Sequence, residues 1–202
     1  MRIGVRPRPQ APAHPAGQAP VADAPPPTIK GIFVNSHVRA IRRLLGDEGL
    51  QRIEDAFHGP VWFGATDDVP TDTESRLIEA AVRLLSDGPM AADGLAYEAG
   101  RLHYRNFTGT PWGKVLFSIF PRDFAFMMRH AGGIAEKVFS HVTFHVKEFG
   151  PRSFCITIDN GGYPLGHFRG LLQEWMDDFG CEGRVLAQEP QPGRQEHLVQ
   201  WG

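Results

Sequence analysis

Cysteine is scarce in this chain of 202 residues. Cys155 and Cys181 are the only two, too few for a disulfide framework at this size. Each reads as a small buried hydrophobe in a reducing cytoplasm. No apolar run approaches the length needed to cross a bilayer, which predicts a soluble, cytoplasmic protein with no membrane span. An excess of basic charge is also missing: 21 Lys and Arg stand against 23 Asp and Glu, a formal net charge of −2. Nucleic acid is therefore not an expected partner, since binding it normally needs a net basic face.

Catalytic signatures are equally scarce. There is no G-x-S-x-G elbow, and Cys155 sits between Phe154 and Ile156 with nothing nearby to activate a thiolate. Gly109-Thr-Pro-Trp-Gly113-Lys114 is one residue short of a phosphate-binding loop and has Val115 where the magnesium-binding hydroxyl belongs. Asp67-Asp68 and Asp177-Asp178 read as solvated charges. His141 and His145 have the spacing of a helical metal site, but on a strand that spacing separates them by about 13 Å. His103, His130, His141 and His167 are haem-ligand residue types that read more simply as surface or satisfied core histidines. The expectation is a protein that is not an enzyme and has no metal and no cofactor.

What the chain does have is core-forming material: 42% hydrophobic residues, with 14 Phe and 4 Trp. Residues 1–27 are rich in proline and alanine and predict a disordered tail, leaving 28–202 as one domain. Ile29–Val34 is a short apolar run, a strand or an extended entry. From Ser36 a helical stripe of Val38, Ile41, Leu44 and Leu45 follows, ended by Gly46, with a second helix through Leu50, Ile53 and Phe57. Gly59 to Pro70 reads as an irregular connection. Thr71 and Glu74 form a capping-box pair opening a helix that buries Leu77, Ile78, Ala81, Leu84 and Leu85. Further helices are predicted near 91–106, 111–120 and 122–140, the last with an interruption at Gly132-Gly133.

The pattern then changes to period two. Val142, Phe144 and Val146, then Phe154, Ile156 and Ile158, alternate with polar residues around the Gly150-Pro151-Arg152 turn, an antiparallel hairpin. A helix carrying Leu165, Phe168, Leu172, Trp175 and Phe179 separates it from a second hairpin over 184–189 and 195–201. Helices segregated from strands predict an α+β fold: an N-terminal helical bundle packed on a C-terminal antiparallel sheet of β-β-α-β-β order. The candidate ligand site is the Phe- and Met-rich stretch Phe117, Phe120, Arg122, Phe124, Met127 and Met128. Its soft apolar side chains suit an adaptable pocket with an arginine at the mouth, an ordinary core or a dimer interface.

Several motifs add a resemblance. Thr28-Ile-Lys-Gly-Ile-Phe, Leu44-Leu-Gly-Asp-Glu-Gly-Leu50, Phe120-Pro-Arg-Asp-Phe124, Gly161-Gly-Tyr-Pro-Leu165 and Gly170-Leu-Leu-Gln-Glu-Trp resemble a family of uncharacterised domains expanded as paralogues in myxobacteria. The element order also resembles the broader group of haem-NO-binding, 4-vinyl-reductase-type and TRAPP-subunit domains. That resemblance implies a domain that binds a hydrophobic small molecule or acts as an assembly subunit. The group's Tyr-x-Ser-x-Arg haem signature and C-terminal cysteine cluster are absent, so neither haem nor metal is implied. The expected function is a non-enzymatic sensory domain that binds an apolar or amphipathic small molecule and signals through a homodimer or protein-partner interface. The alternative is a scaffold subunit without such a ligand.

Overall fold

Strand β1 (Thr28–Lys30) runs straight into helix α1 (Gly31–Phe57), so the helix begins at Gly31 rather than Ser36. The computed structural model describes residues 25–58, 61–86 and 88–202. The predicted tail thus lies almost wholly outside the described residues. Where the described chain begins, the Pro25 carbonyl accepts from Asn160 Nδ2 and the Pro27 carbonyl from the Thr71 N–H. The break expected at Gly46 is a kink within α1, with φ at 72°, a left-handed conformation suited to glycine. Val38 and Ile41 of the predicted stripe are buried and Leu45 packs against the same core, whereas Leu44 is 54% exposed.

β1 is the middle strand of a small antiparallel sheet between β2 (Asp68–Pro70) and β3 (Phe139–Ser140). β2 therefore occupies the end of the segment predicted to be irregular, and β3 takes residues assigned to a helix. Helix α2 (Thr71–Leu85) starts where the capping box predicts, but the box is not formed. Pro70 precedes the helix, the Thr71 Oγ1 has no partner, and Glu74 turns into the core. Helices α3 (Ala92–Gly109), α4 (Pro111–Ile119) and α5 (Phe124–Ala135) follow. Thr110 and Asp123 cap the last two through their side chains, accepting from the Gly113 and Phe126 N–H groups. α5 continues through Gly132-Gly133 without interruption.

The predicted hairpins are present as β4 (Thr143–Gly150) with β5 (Ser153–Asp159), and β6 (Gly183–Gln191) with β7 (Arg194–Trp201). Helix α6 (Leu165–Asp178) joins them, and the four strands order as β4-β5-β7-β6, all antiparallel. Register pairs Phe144 with Ile158 and Val146 with Ile156, which places these side chains on the face turned toward the helices. The architecture is α+β, with a helical first half and antiparallel sheets.

α3 and α6 touch backbone to backbone. A Cβ on Gly100 would lie 1.8 Å from the His167 carbonyl oxygen, and one on Gly170 would lie 1.9 Å from that of Tyr97. Only glycine permits this approach. Two apolar clusters flank the contact. One joins α1, α2 and α3 around Ile41, Ile53, Leu77 and Ile78; the other packs α5 and α6 on the sheet around Met127, Phe154, Phe168 and Trp175.

Candidate functional site

Between the two apolar clusters lies a buried polar one. His37 on α1, Glu74 in the first turn of α2, His103 and Asn106 on α3, Tyr163 before α6 and His167 on α6 all converge there. None is more than 8% exposed. His37 Nε2 lies 3.1 Å from Glu74 Oε1, and the Tyr163 hydroxyl donates to Glu74 Oε2. His103 Nδ1 meets His167 Nε2 at 3.0 Å, and Asn106 Nδ2 lies 3.4 Å from His37 Nδ1. The His37 and His103 rings are 4.5 Å apart, nearly perpendicular, and Tyr163 stacks on His167 at 4.4 Å. One ring nitrogen from each of His37 and His103 and one Glu74 oxygen all lie within 4.8 Å of one another.

The electrostatics follow from burial and proximity. Burial pushes the Glu74 carboxyl up, but His103, His37 and the Tyr163 hydroxyl outweigh it and hold the group at about 2. Burial pulls His103 down to about 4 against the opposing influence of Glu74. His167 is pulled well below its ordinary value by burial and then by His103, while burial and Glu74 raise Tyr163. A carboxylate in the protein interior is normally costly unless paired and hydrogen-bonded, and His37 and Tyr163 are the partners of this one. Two ring and carboxylate atoms in this group, Glu74 Oε1 and His167 Nδ1, lack an aligned hydrogen-bond partner.

His103 also forms part of the wall of an apolar cavity of about 100 Å³. The cavity lies between α3, α4, α5, α6 and the inner face of the larger sheet. Phe107, Phe117, Ala131, Phe144, Phe168 and Trp175 are among its walls. Of the stretch singled out in the sequence, Phe117 lines this cavity, touching Tyr104 and Trp175 edge to face. Phe124, Met127 and Met128 are buried in the adjoining core but do not form its walls. Phe120 packs beside Phe126 and His130, and the exposed Arg122 reaches the Asp178 carbonyl at 3.4 Å. Five of the six thus belong to one apolar cluster, with Phe117 on the cavity wall and Arg122 outside the cluster.

Sequence reasoning missed Glu74 and His37 and passed over His103 and His167. Three of them nevertheless interrupt an apolar helical stripe: His37 between Val34 and Ile41, Glu74 one turn before Leu77 and Ile78, His103 one turn after Ala99. A polar residue inside such a stripe was the available signal. Glu74 was hidden because a capping role already accounted for it. His141 has φ of 63° just before β4, and His145 is exposed on that strand. Both cysteines are half-buried rather than fully buried.

No protein-family model and no curated protein matches the sequence. Solved structures do match. An Fe(II) unliganded H-NOX protein from K. algicida aligns at a TM-score of 0.60 with 12% identity, over 86% of this chain and 97% of its own. An oxygen-binding H-NOX domain related to soluble guanylate cyclases, in its oxygen complex, aligns at 0.61 and 16% over 86% and 95%. A variant of the T. tengcongensis H-NOX gives 0.60 and 17% over 86% and 97%. The chain has the H-NOX fold.

Haem, named for the H-NOX family, does not fit the residues present here. The cavity of about 100 Å³ falls well short of the roughly 300–1,000 Å³ usual for ligand and cofactor sites. The one histidine on its wall already pairs with His167. A wider groove of about 960 Å³ along α1 is lined by Ile32, Phe33, three arginines and the α3–α4 junction, with no histidine, cysteine, tyrosine or methionine among its described lining residues to serve as an axial ligand.

Proposed function

We propose that this is a sensory, ligand-binding domain that takes a small apolar molecule into the cavity beside His103 and acts by binding rather than by turnover. The observation that carries this reading is an apolar cavity walled by aromatic side chains between the helices and the larger sheet. Unfilled cavity volume costs about 24 cal/mol per Å³, so roughly 100 Å³ represents on the order of 2 kcal/mol that an apolar occupant recovers. Phe117 belongs to the site directly; Phe124, Met127 and Met128 form the deformable packing behind it, with Phe120 and Arg122 further out. The likeness to H-NOX structures, one of them an oxygen complex, supports a small-molecule role for this fold. Kinship with the uncharacterised myxobacterial paralogues rests on the sequence motifs alone and adds no activity.

Occupancy presses on Phe168 and Trp175 of α6 and on Phe107 of α3. Because those helices meet through glycine, even a small displacement of one moves the other. Cytoplasmic location and signalling through a homodimer or protein partner belong to the same proposal. Purification from several hosts, native mass spectrometry and solvent extraction test it. A retained small apolar molecule, or saturable uptake of one added afterwards, supports the reading. A ligand-free protein that takes up none of a panel of small apolar molecules refutes it.

The scaffold reading has one observation in its favour: Val115 and Ile119, one turn apart on α4, are 62% and 68% exposed. If they cover a second copy, Val115→Glu with Ile119→Glu converts a dimer to a monomer in light scattering. A monomeric wild type removes that reading.

A further inference from the structure

We propose that His37, Glu74 and His103 bind one divalent first-row transition-metal ion, with Tyr163, His167 and Asn106 as the groups that orient them. The inference does not depend on what the cavity holds. Metal–nitrogen and metal–oxygen bonds of about 2.0–2.2 Å in a tetrahedral site put neighbouring ligand atoms roughly 3.3 Å apart. His37 Nε2 and Glu74 Oε1 are 3.1 Å apart, and the three-residue set spans no more than 4.8 Å. Despite that closeness, Glu74 Oε1 has no aligned hydrogen bond, as expected of atoms aimed at a shared ion rather than at each other.

Each ligand also has an outer partner. Metal-bound histidine characteristically engages its other ring nitrogen with a nearby polar group, and ligating carboxylates are themselves hydrogen-bonded. Here His103 Nδ1 contacts His167, His37 Nδ1 contacts the Asn106 amide, and Tyr163 donates to the second oxygen of Glu74. These contacts leave His37 Nε2, His103 Nε2 and Glu74 Oε1 as the ligand atoms. The Asn106 amide serves as acceptor when its oxygen and nitrogen are exchanged, an assignment made from the network itself. Among the described residues no lysine or arginine pairs with Glu74, and its ion-pair partner is His37. The buried carboxylate therefore lacks the fixed cation that such groups usually have.

Two histidines and one carboxylate leave coordination positions open, the arrangement of non-haem iron and catalytic zinc sites. His103 stands both in this set and on the cavity wall, so the set and the cavity share a side chain. The donor set suits zinc, iron or cobalt over calcium or magnesium, which prefer oxygen ligands.

The test uses the full chain, unfolded in chelator and refolded with cobalt(II), with zinc(II) or with chelator, so that burial does not limit entry. The expected result is one ion per chain after gel filtration, a visible cobalt spectrum of low-symmetry coordination and a metal-dependent rise in thermal midpoint. Glu74→Gln and His103→Asn lose stoichiometric binding. Tyr163→Phe, which removes only the orienting hydroxyl, weakens binding about 10–100-fold. His145→Asn, on the exposed strand, leaves it unchanged. If the core variants fail to fold, wild type and Tyr163→Phe still decide the matter. Refolded wild type that carries no stoichiometric metal overturns the proposal, as does cobalt binding indifferent to Tyr163→Phe and to every folded core variant.

Discussion

Replacing Gly100 by alanine tests how the site is held together. The added methyl would sit 1.8 Å from the His167 carbonyl oxygen and 2.8 Å from the Leu171 backbone nitrogen, atoms that no side-chain rotation can move. Reaching ordinary contact requires α3 and α6 to separate by about 1.6 Å, enough to forfeit much of the dispersion attraction across the interface. Overpacking of this kind costs typically about 1–3 kcal/mol and sometimes more, whereas alanine's better helix propensity returns about 1 kcal/mol. Because the obstruction is backbone, the upper end applies, giving a net loss of about 2 kcal/mol. With a urea slope of about 2 kcal/mol/M, the midpoint falls by roughly 1 M. The same movement parts His103 from His167, whose 3.0 Å contact bridges these helices. Gly133→Ala is the matched control: it is helical, exposed and has no atom within 4 Å of the new methyl, so it stabilises by up to about 1 kcal/mol. If both variants shift the midpoint in the same direction and by similar amounts, the close helix approach is not a determinant of the site.

Other consequences follow from single contacts. Burial, and then Arg169, depress the buried His197 to about 4 from an ordinary 6.5. The unfolded chain therefore binds this proton first as pH falls, so His197 costs nothing above pH 6.5 and about 3 kcal/mol of stability is lost between pH 6.5 and 4. His197→Gln flattens the stability profile in that window by about this amount; an unchanged slope in chemical denaturation contradicts the assignment. Ala131→Leu grows into the cavity and raises the thermal midpoint by the equivalent of about 0.5–2 kcal/mol; a clear destabilisation means the void does not accept carbon. Asp159 and Arg194 form a bidentate pair at 2.6 and 2.9 Å between neighbouring strands β5 and β7. Asp159→Asn costs on the order of 1 kcal/mol, a loss that shrinks at high salt and is read from urea midpoints.

The strand half of the fold was legible in the sequence because one-sided burial imposes a period that short hairpins keep. Phe144, Val146, Phe154, Ile156 and Ile158 alternate and pair as expected. The helical half was legible as to existence but less so at its ends. α1 begins at Gly31 because β1 is fixed by partners at 68–70 and 139–140, long-range pairings that no local window reveals. The Thr71–Glu74 pair shows the same limit: it located a helix start correctly, yet tertiary contacts took Glu74 for the interior. The polar cluster draws on residues from 37 to 167, so no local motif could announce it. Gly100 and Gly170 carried no signal either, since a glycine in a helix shows its purpose only when the opposing backbone is known.

Whether the space beside His103 receives a small apolar molecule decides the proposed function. Diffraction from crystals held under xenon measures this directly, because xenon enters dry apolar cavities of this order. The predicted result is a xenon atom among Phe117, Phe144, Phe168 and Trp175 in the wild type and none there in Ala131→Leu. Wild-type crystals with xenon only at the surface, or with this region fully packed, would contradict it.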